Sequence, residues 1–540
     1  MELYRYENSY IDTRGQVEER VTFTEALIKG IARGGGLFVP KILPRFSIED
    51  IEELLPLTYA SKAARIFRAF GVDLPPQTID ACMEDAYGAL AANFDTPEVT
   101  PVRRLDSNTY VLELFHGPTL AFKDLALQCM PRFFSASIDA LRAQDAPEAK
   151  EDFLILVATS GDTGKAALEG FANRDYTSII VYYPYGGVSD LQQAQMLTSE
   201  GRNVQVYGLR GNFDDCQTAV KQVFSDAAFA QQLATQYNLR FSSANSINWG
   251  RLLPQIVYYI NAYTQMITNG VLQAGELIDV CVPTGNFGNI LAAYYAAEIG
   301  IPIERLFCAS NTNRVLTDFI NTGTYDISHR DFVTTPSPSM DILVSNNLER
   351  QLFELNGRDP QQIQEWMRLL REEKRFVVDK QTFAALRERF SADWVSIDES
   401  LATIRQVYDE HHYLLDPHTA VGYQVAERLR GTNPVLIAAT AHWCKFSADV
   451  YRGLAGVAAD DDLPGNLARL NGFELCRYIA ENYQYAGEVP RRMAELEDKE
   501  QRFGEVYDTD LAAVKESIEQ FLTHATHTTH ATHGDGSREL

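Results

Sequence analysis

Four short segments of the chain carry residue types whose order could do chemistry. HGPTLAFKD runs from His116 to Asp124. Gly117 and Pro118 make a sharp turn in it, and Lys123 follows Phe122 in an apolar setting. Burial penalises the charged form of an amine, and a neutral amine attacks a carbonyl to form an imine. TSGDTG, Thr159 to Gly164, presents backbone N–H groups and the side chains of Ser160, Asp162 and Thr163 to any anion at the start of the helix that follows. Lys165 comes next, but a P-loop is excluded, because G-x-x-x-x-G-K-[ST] needs glycine where Thr159 stands and a hydroxyl where Ala166 stands. PTGNFGN, Pro283 to Asn289, frames a helix entry with two glycines and offers several backbone donors to one phosphate. It lacks G-x-G-x-x-G, so a monophosphate fits it better than a dinucleotide. ATAHWCKF, Ala439 to Phe446, places Thr440 where its hydroxyl could donate to a ring nitrogen.

Taken singly, each segment also reads as an ordinary turn, helix entry or strand end. Together they supply an imine-forming lysine, a phosphate cradle, an anion pocket of carboxylate size and a ring-nitrogen donor. Pyridoxal 5′-phosphate (PLP) needs an aldehyde partner, a phosphate site and a nitrogen partner, so the constellation points to that cofactor.

These loops need rigid elements behind them. TYVLELF from Thr109, FLILVAT from Phe153, SIIVYYP, NVQVYGL, IDVCVPT and PVLIAAT are short apolar runs bounded by turn residues. Continuous apolar runs of this length predict buried parallel strands, and helical stretches such as AALEGFAN and NILAAYYAAEIG lie between them. The expected class is α/β, with parallel sheets flanked by helices and ligand loops beyond the carboxyl ends of the strands. TFTEALIKGIA predicts a helix with Thr22 as N-cap and Glu25 as its capping-box partner. The expected organisation is an N-terminal domain over 1–104, a two-lobed PLP-binding core over 105–450 with a helical insertion near 345–410, a helical region over 451–520, and a disordered histidine-containing tail over 521–540. In that tail His524, His527, His530 and His533 recur at every third residue. The spacing also admits a metal-binding tract, although no metal site is expected in the catalytic part.

Composition narrows the function classes. Lys and Arg number 48 against 73 Asp and Glu, a formal charge of −25, which leaves little cation for a nucleic-acid face. The seven cysteines contain no CxxC pair and no zinc spacing, as expected of reduced thiols in a cytoplasmic protein. The apolar runs are far shorter than the roughly 18 residues of a membrane span, so no membrane partner is expected.

The ordered motifs carry a resemblance. EALIKGIARGGGLFVP, HGPTLAFKD, ATSGDTG, SINWGRLLPQ, VPTGNFGN, NTNRVL, SPSMDI and ATAHWCKF occur in the order found in threonine synthases of the longer microbial and fungal type. The chain resembles that family over roughly residues 5 to 480. The resemblance implies a fold-type II PLP enzyme similar to the tryptophan synthase β family, a carbon–oxygen lyase that turns O-phospho-L-homoserine and water into L-threonine and phosphate. It implies that Lys123 forms the Schiff base, that Gly285, Asn286, Phe287, Gly288 and Asn289 hold the cofactor phosphate, and that Thr440 bonds the pyridine nitrogen. Ser160, Asp162 and Thr163 would lie near the substrate carboxylate or the cofactor O3′. The chain departs from the family pattern in two places. Trp443 and Cys444 stand where Pro-Ala is usual, and Lys165 stands where a small residue is common.

A strongly anionic substrate gains nothing from a chain at −25, so local cations must capture it. The candidates are Arg251, Arg314 and Lys165, with Arg251 favoured because Asn248 and Trp249 beside it belong to a shared motif; Asn248 is counted with it as a substrate residue. Competing readings are a related PLP-dependent phospho-lyase, a threonine dehydratase-like enzyme, and a cofactor-binding pseudo-enzyme. The expected assembly is a monomer or a homodimer.

Overall fold

A computed structural model describes residues 9–16 and 20–532, with side chains described except at 148 and 525–532. The chain divides into two compact units, one of residues 1–137 and 246–494 and the other of 138–245 and 495–540.

The first unit is built on a six-stranded sheet. Its order is Phe390–Trp394, Ile303–Ser310, Ile278–Pro283, Val435–Ala439, Thr109–Glu113 and Val102–Arg104. The first five are parallel and the last is antiparallel. Thr109–Glu113, Ile278–Pro283 and Val435–Ala439 are buried at every position, the property that made them legible as apolar runs. Leu112 pairs with Ala438 and Glu113 with Ala439, so two of the four predicted chemical loops leave the sheet side by side at its carboxyl end. The loop after Pro283 leaves the neighbouring strand.

The second unit holds a five-stranded parallel sheet in the order Val506–Asp508, Val204–Arg210, Thr177–Pro184, Asp152–Ala158 and Leu239–Ser242. All six predicted runs are strands, and the α/β class with parallel sheets is as expected. The helix Phe23–Lys29 has the predicted capping box between Thr22 and Glu25.

Two stretches differ from expectation. Within 345–410, four helices are interrupted by Arg375–Val377 and by Phe390–Trp394, which is an edge strand of the main sheet. FSADW has no apolar run to announce it, because an edge strand is only half covered. The disordered tail expected from 521 is corrected at its start. A helix runs Leu511–Thr532, and Phe521 and Leu522 are buried in the second unit's core with Val514 and Ile518. Spacing of 3–4 residues puts these four on one helical face. The side chains of His527 and His530, and all of His533, lie outside the described residues.

Candidate active site

Lys123 is the first residue of the helix Lys123–Arg142. The loop that delivers it is closed by its neighbour. Asp124 accepts hydrogen bonds from the Thr119 amide at 2.8 Å and the Thr119 hydroxyl at 2.7 Å. Gly117 is needed for this closure, since a Cβ there would lie 2.4 Å from the Asp124 Cβ. The buried Lys445 ammonium donates to the Thr119 carbonyl at 2.7 Å. Burial pushes the Asp124 carboxyl up to about 6, opposed by the Thr119 hydrogen bonds and the Lys445 charge.

The amide of Phe122 donates to the Thr440 carbonyl at 2.8 Å, and Ala121 bridges Ala441, so the Thr440 turn and the lysine loop are sewn together. Thr440 itself is buried. The Lys123 Nζ lies 5.2 Å from the centre of the Phe122 ring and donates to the Ser339 Oγ at 3.0 Å. Ser339 belongs to SPSMDI, a motif whose residues alone pointed to no role.

Ser339 also forms a wall of the glycine loop. A Cβ on Gly285 would lie 2.2 Å from the Ser339 carbonyl oxygen, so only glycine admits this approach. The Gly285 carbonyl accepts from the Ser345 hydroxyl at 2.8 Å, and the Asn286 carbonyl accepts from the Asn347 amide at 3.1 Å. Phe287, buried and at φ +62°, turns the chain into the helix Gly288–Glu298. Asn289 Oδ1 accepts from the Tyr258 and Tyr259 hydroxyls at 2.6 and 2.5 Å, while its Nδ2 is buried without a hydrogen-bond partner among the described residues.

Arg251 sits in the first turn of the helix Trp249–Thr268 and is 3% exposed. Burial pulls its guanidinium down to about 10. Asn248 caps that helix through Oδ1, and its Nδ2 donates to the Leu27 carbonyl at 2.8 Å, so both ends of the amide are committed. Arg314 is 43% exposed, lies over the Trp394 ring and is 3.8 Å from Asp318.

In the second unit, the strand Asp152–Ala158 leads through Gly161, at φ +130°, to the helix Asp162–Phe171. Thr159 Oγ1 accepts from the Gly161 and Gly164 amides at 3.0 and 2.9 Å, which shapes the turn carrying Ser160 and Thr163. Asp162 accepts from Gln192 at 3.0 Å. Lys165 is buried and donates to Glu169 and, at 3.0 Å, to Ser199. Its charge is met locally, which corrects its reading as a phosphate-capturing cation.

A cavity of about 250 Å³ in the first unit is lined by Glu113, His116, Tyr413, Asp416, His442 and Trp443 among others, and neither Lys123 nor the Gly285–Asn289 loop lines it. His116 bridges Asp95 at 2.6 Å and Glu113 at 2.9 Å. Burial would depress this imidazole, but the two carboxylates outweigh it and raise it to about 9. Burial, with the His116 charge, pulls His442 down to about 4. Among the described residues no group of three or more His, Cys, Asp or Glu is placed to hold a metal ion. No helix of the described residues is long and apolar enough to cross a membrane.

Residues 94–392 match the model of the pyridoxal-phosphate dependent enzyme family, so the two sheets and the lysine and glycine loops define a PLP-dependent enzyme of fold type II. Residues 9–87 match "Threonine synthase N terminus" and 419–518 match "Threonine synthase, C-terminal". Threonine synthase of Pseudomonas aeruginosa is 39% identical over 85% of this chain and 93% of its own. A crystal structure of PLP-bound threonine synthase from Brucella melitensis superposes with a TM-score of 0.81 at 36% identity, covering 95% of this chain and 99% of that one. The chain belongs to the threonine synthase family. Threonine synthase-like 1 of Homo sapiens is 44% identical over 80% of this chain, and the chain spans only 58% of that relative's length.

The residues present fit the cofactor of this family. Asn289 Nδ2, buried and without a hydrogen-bond partner among the described residues, is a donor at a helix start, where first-turn N–H groups have no intrahelical acceptor, and such a start suits an anion.

Proposed function

We propose that this chain is a threonine synthase, converting O-phospho-L-homoserine and water into L-threonine and phosphate. The observation that carries this reading is the convergence on Ser339, which meets the Lys123 amine at 3.0 Å and stands against Gly285 of the glycine loop. A reactive amine and a phosphate cradle thus share one wall.

PLP, when bound, supplies an electron sink for the charge left at the substrate Cα. In this reading Lys123 is the amine that holds the cofactor, Gly285, Asn286, Phe287, Gly288 and Asn289 hold its phosphate, and Thr440 meets its ring nitrogen. Lys123 then takes the proton from Cα and serves proton transfers at Cβ, the work of a positioned general base and acid. Ser160, Asp162 and Thr163 orient the substrate carboxylate or the cofactor O3′. Arg251 binds the leaving phosphate, and Asn248 holds the helix start that presents it. A net charge of −25 gives no long-range help to such an anion, so a buried local cation is what the reading requires. The seven cysteines form no disulfide among the described residues and six are buried, which supports a reducing, cytoplasmic location.

Incubation of the full chain with O-phospho-L-homoserine and PLP tests the proposal. Threonine and phosphate should appear in equal amounts, and Lys123→Ala should abolish both. A 2-oxo acid in place of threonine would favour a dehydratase-like reaction. PLP binding with no turnover would favour a pseudo-enzyme.

A further inference from the structure

We infer that the buried Asp416–His418 pair is a positioning device for the Lys123 amine, acting through Ser339. The inference rests on Lys123 being the reactive amine of the proposed function.

Asp416 caps the helix Pro417–Leu429 by accepting from the His418 and Thr419 amides and from the Thr419 hydroxyl. Those bonds alone satisfy a helix start. Yet Asp416 Oδ1 also accepts from His418 Nδ1 at 2.7 Å, with both side chains almost fully buried. A ring nitrogen facing a carboxylate carries the proton, so Nε2 is left with its lone pair. The geometry uses that lone pair, since His418 Nε2 accepts the backbone N–H of Ser339 at 3.2 Å. The helix does not need this contact, which reaches a loop 79 positions earlier in the chain.

Ser339 lies in one 3-10 turn, Pro338–Met340. The rest of its loop is tied to Asp341, which accepts from the Asn311, Asn313 and Thr335 side chains at 2.7 to 2.9 Å. Each polar group of Ser339 therefore has an assigned neighbour. Its N–H goes to His418, its carbonyl oxygen stands against Gly285, and its Oγ accepts from Lys123. Moving the serine backbone moves an acceptor of the lysine amine and the wall of the glycine loop together. The titratable groups facing His418 are Asp416 on its own helix and Asp341 on the serine loop, the latter held above the usual carboxylate range by burial. The Phe446 ring packs edge-on at 4.9 Å and adds no charge.

The test reads the Lys123 amine rather than turnover. The full chain, with and without PLP, is labelled competitively with acetic anhydride across a pH series, and acetylation at residue 123 is followed by mass spectrometry. A hydroxyl acceptor stabilises the ammonium form by a modest hydrogen bond, so Ser339→Ala should lower the labelling midpoint by about half to one pH unit. His418→Leu should move it in the same direction. Its combination with Ser339→Ala should move it no further than Ser339→Ala alone. His418→Gln should recover much of the shift, because its amide oxygen can reach the place of Nε2. Should His418→Leu fail to fold, His418→Asn takes its place, since it keeps a polar group beside Asp416 and cannot reach Ser339. A His418 variant with the parent profile, or additive shifts in the double variant, would overturn the inference. If PLP fails to protect Lys123 in the parent chain, the proposed function falls, while the profiles without PLP still judge the positioning role.

Discussion

Thr119 and Asp124 lock the loop that ends at Lys123, for both oxygens of the Asp124 carboxylate are taken by the amide and hydroxyl of one threonine. The helix begins inside this closure, so Lys123 leaves a fixed backbone and not a mobile turn. Its amine can then be addressed by a group as distant in sequence as Ser339.

Gly285→Ala should damage cofactor binding. The new Cβ would meet the backbone oxygen of Ser339 at 2.2 Å, and backbone cannot swing aside as a flexible side chain can. Overpacking of this kind costs about 1–3 kcal/mol. A PLP titration followed by absorbance should show affinity reduced by tenfold or more, with the chain still folded by circular dichroism. Parental affinity would remove Gly285 from the cradle.

Arg251→Ala should lower kcat/KM for O-phospho-L-homoserine by about 10- to 150-fold, the equivalent of a charged hydrogen bond worth roughly 1.5–3 kcal/mol. KM should rise while kcat holds, if the contact is equal in ground and transition states. Arg251→Lys should recover only part, because it loses the planar fork. PLP occupancy should stay at the parent value. Unchanged kcat/KM at full occupancy would exclude Arg251, and the exposed Arg314 would be tested next.

His116 should make stability fall as pH rises. Its folded pKa of about 9 exceeds the usual value near 6.5, so its contribution is complete below about pH 6.5 and is lost as pH climbs through 9. The span corresponds to roughly 3 kcal/mol for this largely buried group. Denaturant unfolding of the parent and of His116→Gln, compared over that range, should show a declining difference. His442 acts at the other end, because its depressed pKa of about 4 means that stability is lost as pH falls from 6.5. Parallel pH curves for the parent and His116→Gln would refute the assignment.

Phe521→Ala should destabilise the second unit by about 3–5 kcal/mol, as large-to-small changes in a core do. Phe521 is 7% exposed and packs in the cluster that includes Tyr207, Val223 and Leu522. Urea midpoints followed by circular dichroism should shift to lower concentration. An unchanged midpoint would mean that this end of the chain contributes nothing to the core.

Much of the site was legible in the chain itself. Strands such as Ile278–Pro283 and Val435–Ala439 are buried on both faces, so their composition alone announced them, and the glycine and lysine loops fell at their ends. The pairing of Lys165 was legible too, since Glu169 lies four residues on along one helix face. The strand Phe390–Trp394 was not, because an edge position asks for no apolar run. Nor was the continuation of the last helix past residue 520, where the low-complexity segment masked the apolar face of Phe521 and Leu522.

The sequence by itself determined the α/β class and the order of the motifs, among them the one that carries Lys123, because local composition and spacing carry those. Only the tertiary structure decided what meets that lysine. Ser339 is 216 residues away and His418 a further 79, and no periodicity links positions so separated. Their meeting depends on parallel strands that bring the loops of distant segments to one end of a sheet, where a hydroxyl, an imidazole and an amine come within hydrogen-bond reach.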